Sequence, residues 1–331
     1  VIDGIVPTVT SVNSSTANST YKVGDVISIQ VNFSESVTVN TGGGTPQLTL
    51  ETGTTDRTVS YASGSGSSQL TFSYTVQAGD NSIDLDYVAT NSLALNGGTI
   101  RDAAGNNATL TLASPGAANS LGANKALVID GVVPTVSSVN STTPDGAYKA
   151  GDSISIQVNF SESVTVNTGG GTPQLTLETG ATDRIASYAS GSGSNQLTFS
   201  YTVQAGDNSL DLDYFGTNSL AANGGTIQDA AGNNATLTLA SPGAANSLGA
   251  NKALVVDAVA PSVTSIAPTG SPAANAASMD FAVAFDESVN NISTDDFTLV
   301  TTGTASGSIA SVSTGSGSSA NVTINTITGT G

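Results

Sequence analysis

The chain is 331 residues long, with 25 acidic against 7 basic residues, a net charge of −18, and no Cys, His or Trp. That balance argues against nucleic acid or an anionic membrane as a partner and favours a divalent cation. Without His or Cys there is no Ser-His-Asp or Cys-His nucleophile system, no disulfide framework and no ordinary catalytic zinc site.

In chain order, Val1-Ile2-Asp3 reads as the tail of a strand, and Thr8 to Ser15 as an opening strand after Pro7. A Val23-Gly24-Asp25 turn leads into Val26 to Ser34, where Ile27, Ile29, Val31 and Phe33 alternate with polar residues. That period of two marks a half-buried strand. Leu48 with Leu50, Val59 with Tyr61, and Leu70, Phe72, Tyr74 and Val76 continue the pattern, separated by Gly-rich turns at 41–44 and 63–66. After the Ala78-Gly79-Asp80 turn, Ile83, Leu85 and Tyr87 alternate with Asp84 and Asp86, which this reading puts on a solvated face. Thr99 to Asp102 forms a penultimate strand, Asp102-Ala103-Ala104-Gly105-Asn106 a loop, and Asn124 to Asp130 a closing strand. Helical periodicity is missing. Short strands with one apolar face each predict an all-β fold of antiparallel β-sandwich domains with immunoglobulin-like architecture.

Residues 1–127 then recur as 128–254, with about 18 of 127 positions changed, and a divergent third copy opens at Val255. A period this long is a string of whole domains, not a solenoid. The expected division is a tail at 1–3, repeats at 4–130 and 131–257, and a divergent third repeat at 258–331 that looks cut short. Only Gly131 to Val133 separate a closing strand from the next opening strand, so neighbouring domains are expected almost end to end.

Threading the strands brings acidic residues to the joints. Glu35, after Phe33-Ser34, should lie beside Asp3, with Asp102 and Asn106 at the same end. The second copy supplies Asp130, Glu162, Asp229 and Asn233; the third supplies Asp257 and Glu287, or its neighbour Asp286. Carboxylates, Asn and backbone carbonyls are the hard oxygen ligands that Ca²⁺ takes, and clustered carboxylates repel one another without a cation. Against this stands the plain fact that Asp and Asn are turn residues. Asp25 and Asp80, each after Gly, read as turn chemistry at the opposite pole, with an approach of Asp80 to the next joint as the alternative.

The segments Phe33-Ser34-Glu35-Ser36-Val37-Thr38-Val39, Tyr74-Thr75-Val76-Gln77-Ala78-Gly79-Asp80 and Ile100-Arg101-Asp102-Ala103-Ala104-Gly105-Asn106 resemble the tandem bacterial immunoglobulin-like repeats of large secreted or surface-anchored proteins, adhesins among them. Phe285-Asp286-Glu287-Ser288-Val289 resembles a second variant of that repeat. The resemblance implies an extracellular location, Ca²⁺ near domain junctions through Glu35, Asp102, Asn106 and their second-copy counterparts, and a stalk that holds a binding module away from the cell. The third copy lacks the Asp-Ala-Ala-Gly-Asn loop.

The expected function is a structural spacer segment of a bacterial surface adhesin, stiffened by Ca²⁺ and acting in cell adhesion. Its partners are neighbouring domains of the same longer chain, without nucleic acid and without membrane insertion, since no run approaches the roughly 20 apolar residues that span a bilayer. One alternative is self-association into an extracellular fibre, with the incomplete third sandwich accepting a strand such as Val1-Ile2-Asp3. Another is a carbohydrate-binding sandwich, which an exposed Tyr87 or Tyr214 would favour. An enzyme is not expected.

Overall fold

A computed structural model describes residues 3–271 and 276–329, so Val1 and Ile2 of the expected N-terminal tail lie outside the described residues. The chain is all-β, about 50% strand and 3% helix. In the first repeat the strands are β1 (Val9–Ser14), β2 (Ser19–Tyr21), β3 (Val26–Asn40), β4 (Gln47–Glu51), β5 (Arg57–Ser63), β6 (Ser67–Thr75), β7 (Asn81–Ser82), β8 (Asp86–Tyr87), β9 (Leu93–Ala94), β10 (Thr99–Arg101) and β11 (Leu127–Asp130). A single turn of helix, α1 (Leu121–Asn124), is capped by the Ser120 side chain. The large sheet runs β1-β3-β6-β5-β4-β8, with β10 on β3 and β9 on β4; β2, β11 and β7 form a small one.

Alternation builds this sandwich. Ile27, Ile29 and Val31 stand opposite Tyr74, Phe72 and Leu70 across β3 and β6. All six are buried and meet Leu85, Tyr87, Leu121 and Leu127 from the rest of the repeat. Each such side chain contributes about 1.5–3 kcal/mol through burial. Ile156, Val158, Leu197, Phe199 and Tyr201 do the same in the second repeat, and Phe33 and Phe160 are buried as well.

Three features differ from the sequence expectation. β3 continues to Asn40 where a strand end was expected at Ser34, because its second half finds a new partner in β10. β11 runs parallel to β2, an exception in an otherwise antiparallel pattern. Leu110 and Leu112, whose alternation with polar residues predicts a strand, form none; the chain around them makes the isolated bridges Thr109 to Thr8, parallel, and Asn107 to Arg101, antiparallel.

The chain divides into two compact units. One takes in both long repeats except the turns Tyr148–Gly151 and Val203–Asn208, which group with the chain from Val256 onward. That second unit contains one antiparallel sheet, with Val263–Pro268 beside Ser278–Asn290, then Ser316–Thr328, then Ser306–Val312. Its register repeats that of the first sandwich: Val263 pairs with Phe285 as Val9 pairs with Phe33. No helix among the described residues is long and apolar enough to cross a membrane.

Candidate metal centre

Glu35 sits where β3 changes partners. Its pairing with β6 breaks between Asn32 and Val37. Beyond the break Thr38 lies opposite Arg101 of β10, so Asp102, the next residue, falls at the same end. The segment preceding β1 is tied there too: Thr8 N–H donates to Ser34 Oγ at 3.0 Å, and Ser34 N–H to Thr8 O at 2.9 Å. As a result one carboxylate oxygen each from Asp3, Glu35 and Asp102 lie within 4.8 Å of one another. Among the described residues this is the one group of three acidic side chains so spaced.

The electrostatics of this triad are divided. Burial raises the Asp102 carboxyl, but donors from the Asn106 side chain and from the backbone of Asn106, Gly105 and Ala104 outweigh it and hold the group below the usual range. Asn106 grips both oxygens, N–H to Oδ1 at 2.8 Å and Nδ2 to Oδ2 at 2.6 Å. Glu35 is pushed up, first by burial and then by the charges of Asp3 and Asp102. Its Oε1 is buried with no hydrogen-bond donor among the described residues. A desolvated anionic oxygen facing two more carboxylates is costly unless a positive charge compensates it. The donors are all hard oxygens, which suits Ca²⁺ better than a metal of nitrogen and sulfur sites. Asp3, Glu35 and Asp102 would hold it.

The second repeat reproduces the pattern in a different setting. Burial and the charges of Asp130 and Asp229 push Glu162 up. Asp130 is raised by burial and by Asp229, against a bond from Val132 N–H. Glu162 Oε1 is again buried with no donor among the described residues. Asp229 Oδ1 accepts from Gly232 N–H at 2.7 Å and Asn233 N–H at 2.8 Å, and Oδ2 from Asn233 Nδ2 at 2.7 Å. Asn233 Nδ2 also donates to Asp130 O at 2.8 Å. Its amide oxygen faces the other way and accepts the Val23 N–H of the first repeat at 2.9 Å.

Among the described residues the third copy assembles no such group. Asp257 is exposed and Glu287 half-buried. Asp286 accepts Ser262 N–H at 2.8 Å and Ser262 Oγ at 2.6 Å. It thus staples the opening strand as Ser34 does in the first repeat, and these bonds hold its carboxyl below the usual range.

Several residues the sequence placed elsewhere prove structural. Asp86 is buried rather than solvated; its oxygens accept from Tyr87 N–H and Gly116 N–H, both at 2.9 Å. A Cβ on Gly122 would approach Asp86 Oδ2 to 3.0 Å and Asp84 Oδ2 to 3.3 Å, which accounts for glycine in α1. Tyr87 and Tyr214 are fully buried, their hydroxyls donating to Ala113 O and Ala240 O at 2.7 Å. Asp80 is 1% exposed and accepts from Arg57 Nε at 2.7 Å, Tyr74 OH at 2.7 Å and Gln77 N–H at 2.9 Å. This network shapes the turn that receives the connector: Gly79 N–H donates to Gly131 O and Gly131 N–H to Asp80 O, each at 2.7 Å. The sequence reads Asp80 first as turn chemistry, with the joint only as an alternative, and gives no sign of Val23 beyond its place in a turn.

No family model matches the chain, and no curated protein matches it.

Proposed function

We propose that the chain is a non-enzymatic structural spacer, a segment of the stalk of a bacterial surface adhesin outside the cell, in which Ca²⁺ at the acidic ends of the repeats stiffens the array. The observation that carries this reading is the buried Oε1 of Glu35 and of Glu162, each without a donor among the described residues and each raised by the charges of two aspartates. Repetition supports it as well: the same sandwich occurs twice with a connector too short to act as a flexible coil. A cation that binds only the ordered end stabilises it by about 2.7 kcal/mol at one hundred times Kd. Calorimetry should find Ca²⁺ binding at millimolar or lower concentration, the range of extracellular modules, and the thermal midpoint should fall on chelation. Glu35→Gln and Glu162→Gln should each weaken one site. Absence of binding in that range, with an unchanged midpoint, rules the cation out.

A second reading, self-association into a fibre, is favoured by the third sheet. Val263 and Ile266 are 51% and 62% exposed, beside a groove of about 620 Å³ reaching Phe285 and Phe297. Light scattering over a concentration series separates the two readings, since a constant monomer mass excludes the fibre. The carbohydrate reading loses its support with the burial of Tyr87 and Tyr214.

A further inference from the structure

The joint between the first two repeats is held by protein groups on both sides. Asp25 shapes the turn ahead of it: its Oδ2 accepts Lys22 N–H at 3.0 Å, while Gly24 N–H donates to Val76 O at 2.9 Å. The Val23 N–H is left pointing out of the repeat, and it is this donor that Asn233 Oδ1 receives. Beside it the Lys22 stem lies against Gly232, where an added Cβ would meet Cδ at 3.4 Å. The second anchor is the pair of backbone bonds between Gly131 and the Gly79-Asp80 turn. Two anchors fix a direction where one would allow rotation.

The other end of the first repeat carries the same receiving surface. Asn106 repeats the internal bonds of Asn233, gripping both oxygens of Asp102 and reaching the backbone carbonyl of Asp3 at 3.3 Å. Among the described residues no donor reaches its Oδ1. Asn233, Gly131 and Asp130 are covered in part or whole, whereas Gly4 and Asp3, the counterparts of the last two, are exposed and Asn106 is half-buried. Gly4 has no atom within 4 Å of where its Cβ would stand; at Gly131 the carbonyl of Gln77 is 2.3 Å away.

We infer that the surface formed by Gly4, Val6, Gly105 and Asn106 is an open socket for another module of this same kind, which docks by presenting the N–H of a Val23-type turn to Asn106 Oδ1. The occupant is identified by what fills the equivalent surface on the second repeat, a turn of the first. The inference builds on the reading of the chain as an array, but it needs no cation, because both anchors are bonds between protein groups.

The chain has no cysteine, so spin labels are readily placed. Ser60→Cys and Ser187→Cys, both exposed and one 127-residue period apart, report the existing joint by pulsed electron resonance. One narrow distance is expected, and Asn233→Ala should broaden it while Asn106→Ala leaves it unchanged. Since both variants remove the same bonds within their turns, Asn106→Ala also controls for folding. A chain lengthened by a copy of residues 1–127 ahead of Val1 tests the socket itself, with Ser60→Cys in the added copy and in the original. That pair should give the same narrow distance, and Asn106→Ala should now broaden it. A broad distance in the lengthened chain, or one indifferent to Asn106→Ala, overturns the inference. Running each sample with Ca²⁺ and with chelator keeps the readings apart. A narrow, Asn106-dependent distance in a chain that binds no Ca²⁺ leaves the socket standing and removes the cation.

Discussion

Val12 and Ile266 occupy the same place in their sheets, yet they live in different surroundings. Each pairs with the central valine of the long strand, Val31 and Val283, one residue past a bulge. Val12 is fully buried, whereas Ile266 is 62% exposed. Strand pairing is thus the same in the first repeat and the third sheet; what differs is the second layer. In the first repeat Leu85, Leu112, Leu121, Leu127 and Ile129, all outside the large sheet, join its buried face in one core. Among the described residues the third sheet has only a partial cover: Val283, Val322 and Ile324 are buried, but Ile266 and Val263 are left 62% and 51% exposed. Hydrogen bonding and alternation suffice to form a ladder, but burial of apolar area, the main stabilising contribution, needs a second surface.

The largest expected effect breaks that comparison at one register position. Phe33→Ala should destabilise the first repeat by about 3–5 kcal/mol, as for other buried aromatics. Phe285→Ala, on the open sheet, should cost under about 1 kcal/mol, because its ring is only partly withdrawn from water. Denaturant unfolding followed separately for the two regions checks this, and equal losses would mean the third sheet is covered in solution.

Alkaline titration sharpens the contrast. Burial, assisted by the neighbouring Asp86 and Asp213, pushes Tyr87 and Tyr214 up to about 12. Burial and the bond to Asp80 raise Tyr74 further. A folded-state value above the unfolded one, about 10, means the folded repeat keeps its proton where the unfolded chain would lose it. Their contribution is therefore complete below pH 10 and is lost as pH rises through 12. The third region has no tyrosine. Tyrosinate absorbance should show a late class that appears together with loss of the repeats. Tyr87→Phe should delete one late group and cost about 1 kcal/mol for the bond to Ala113.

The smallest effect concerns the staple of the opening strand, a neutral Ser34 in the first repeat and an Asp286 in the third. Because Asp286 is depressed by its bonds to Ser262, its contribution is present above the ordinary Asp value and lost as pH falls through the lower folded value. Nuclear magnetic resonance between about pH 5 and pH 2 should show the Ser262 amide shifting with Asp286 protonation. The Thr8 amide, bonded to Ser34 Oγ, should not move with that titration. Parallel shifts at both amides would exclude Asp286 as the cause.

Much of the fold was legible in the residues themselves. Ile27, Ile29, Val31 and Phe33 announce both a strand and its inward face, because alternate side chains leave a pleated strand on opposite sides. The exact repetition of whole stretches marks the modules, and the absence of His and Cys bounds the chemistry. The meeting of Asp3, Glu35 and Asp102 followed from strand directions alone. Other features were decided only by tertiary structure. Asp86 looked solvated by alternation, yet the backbone near Gly116 and the helix at Gly122 fold over it and supply its donor and its cover. Asp286 looked like a cage residue, but the nearness of Ser262 turns it into a strand staple. Asn233 and Asn106 are the same residue in the same loop, and nothing in their local sequence tells them apart. One is sealed by Val23 from 210 positions away, the other open. Local sequence sets which groups each residue offers; the partner that satisfies a donor or covers an acceptor comes from chain remote in sequence, so it exists only once the repeats have folded and docked.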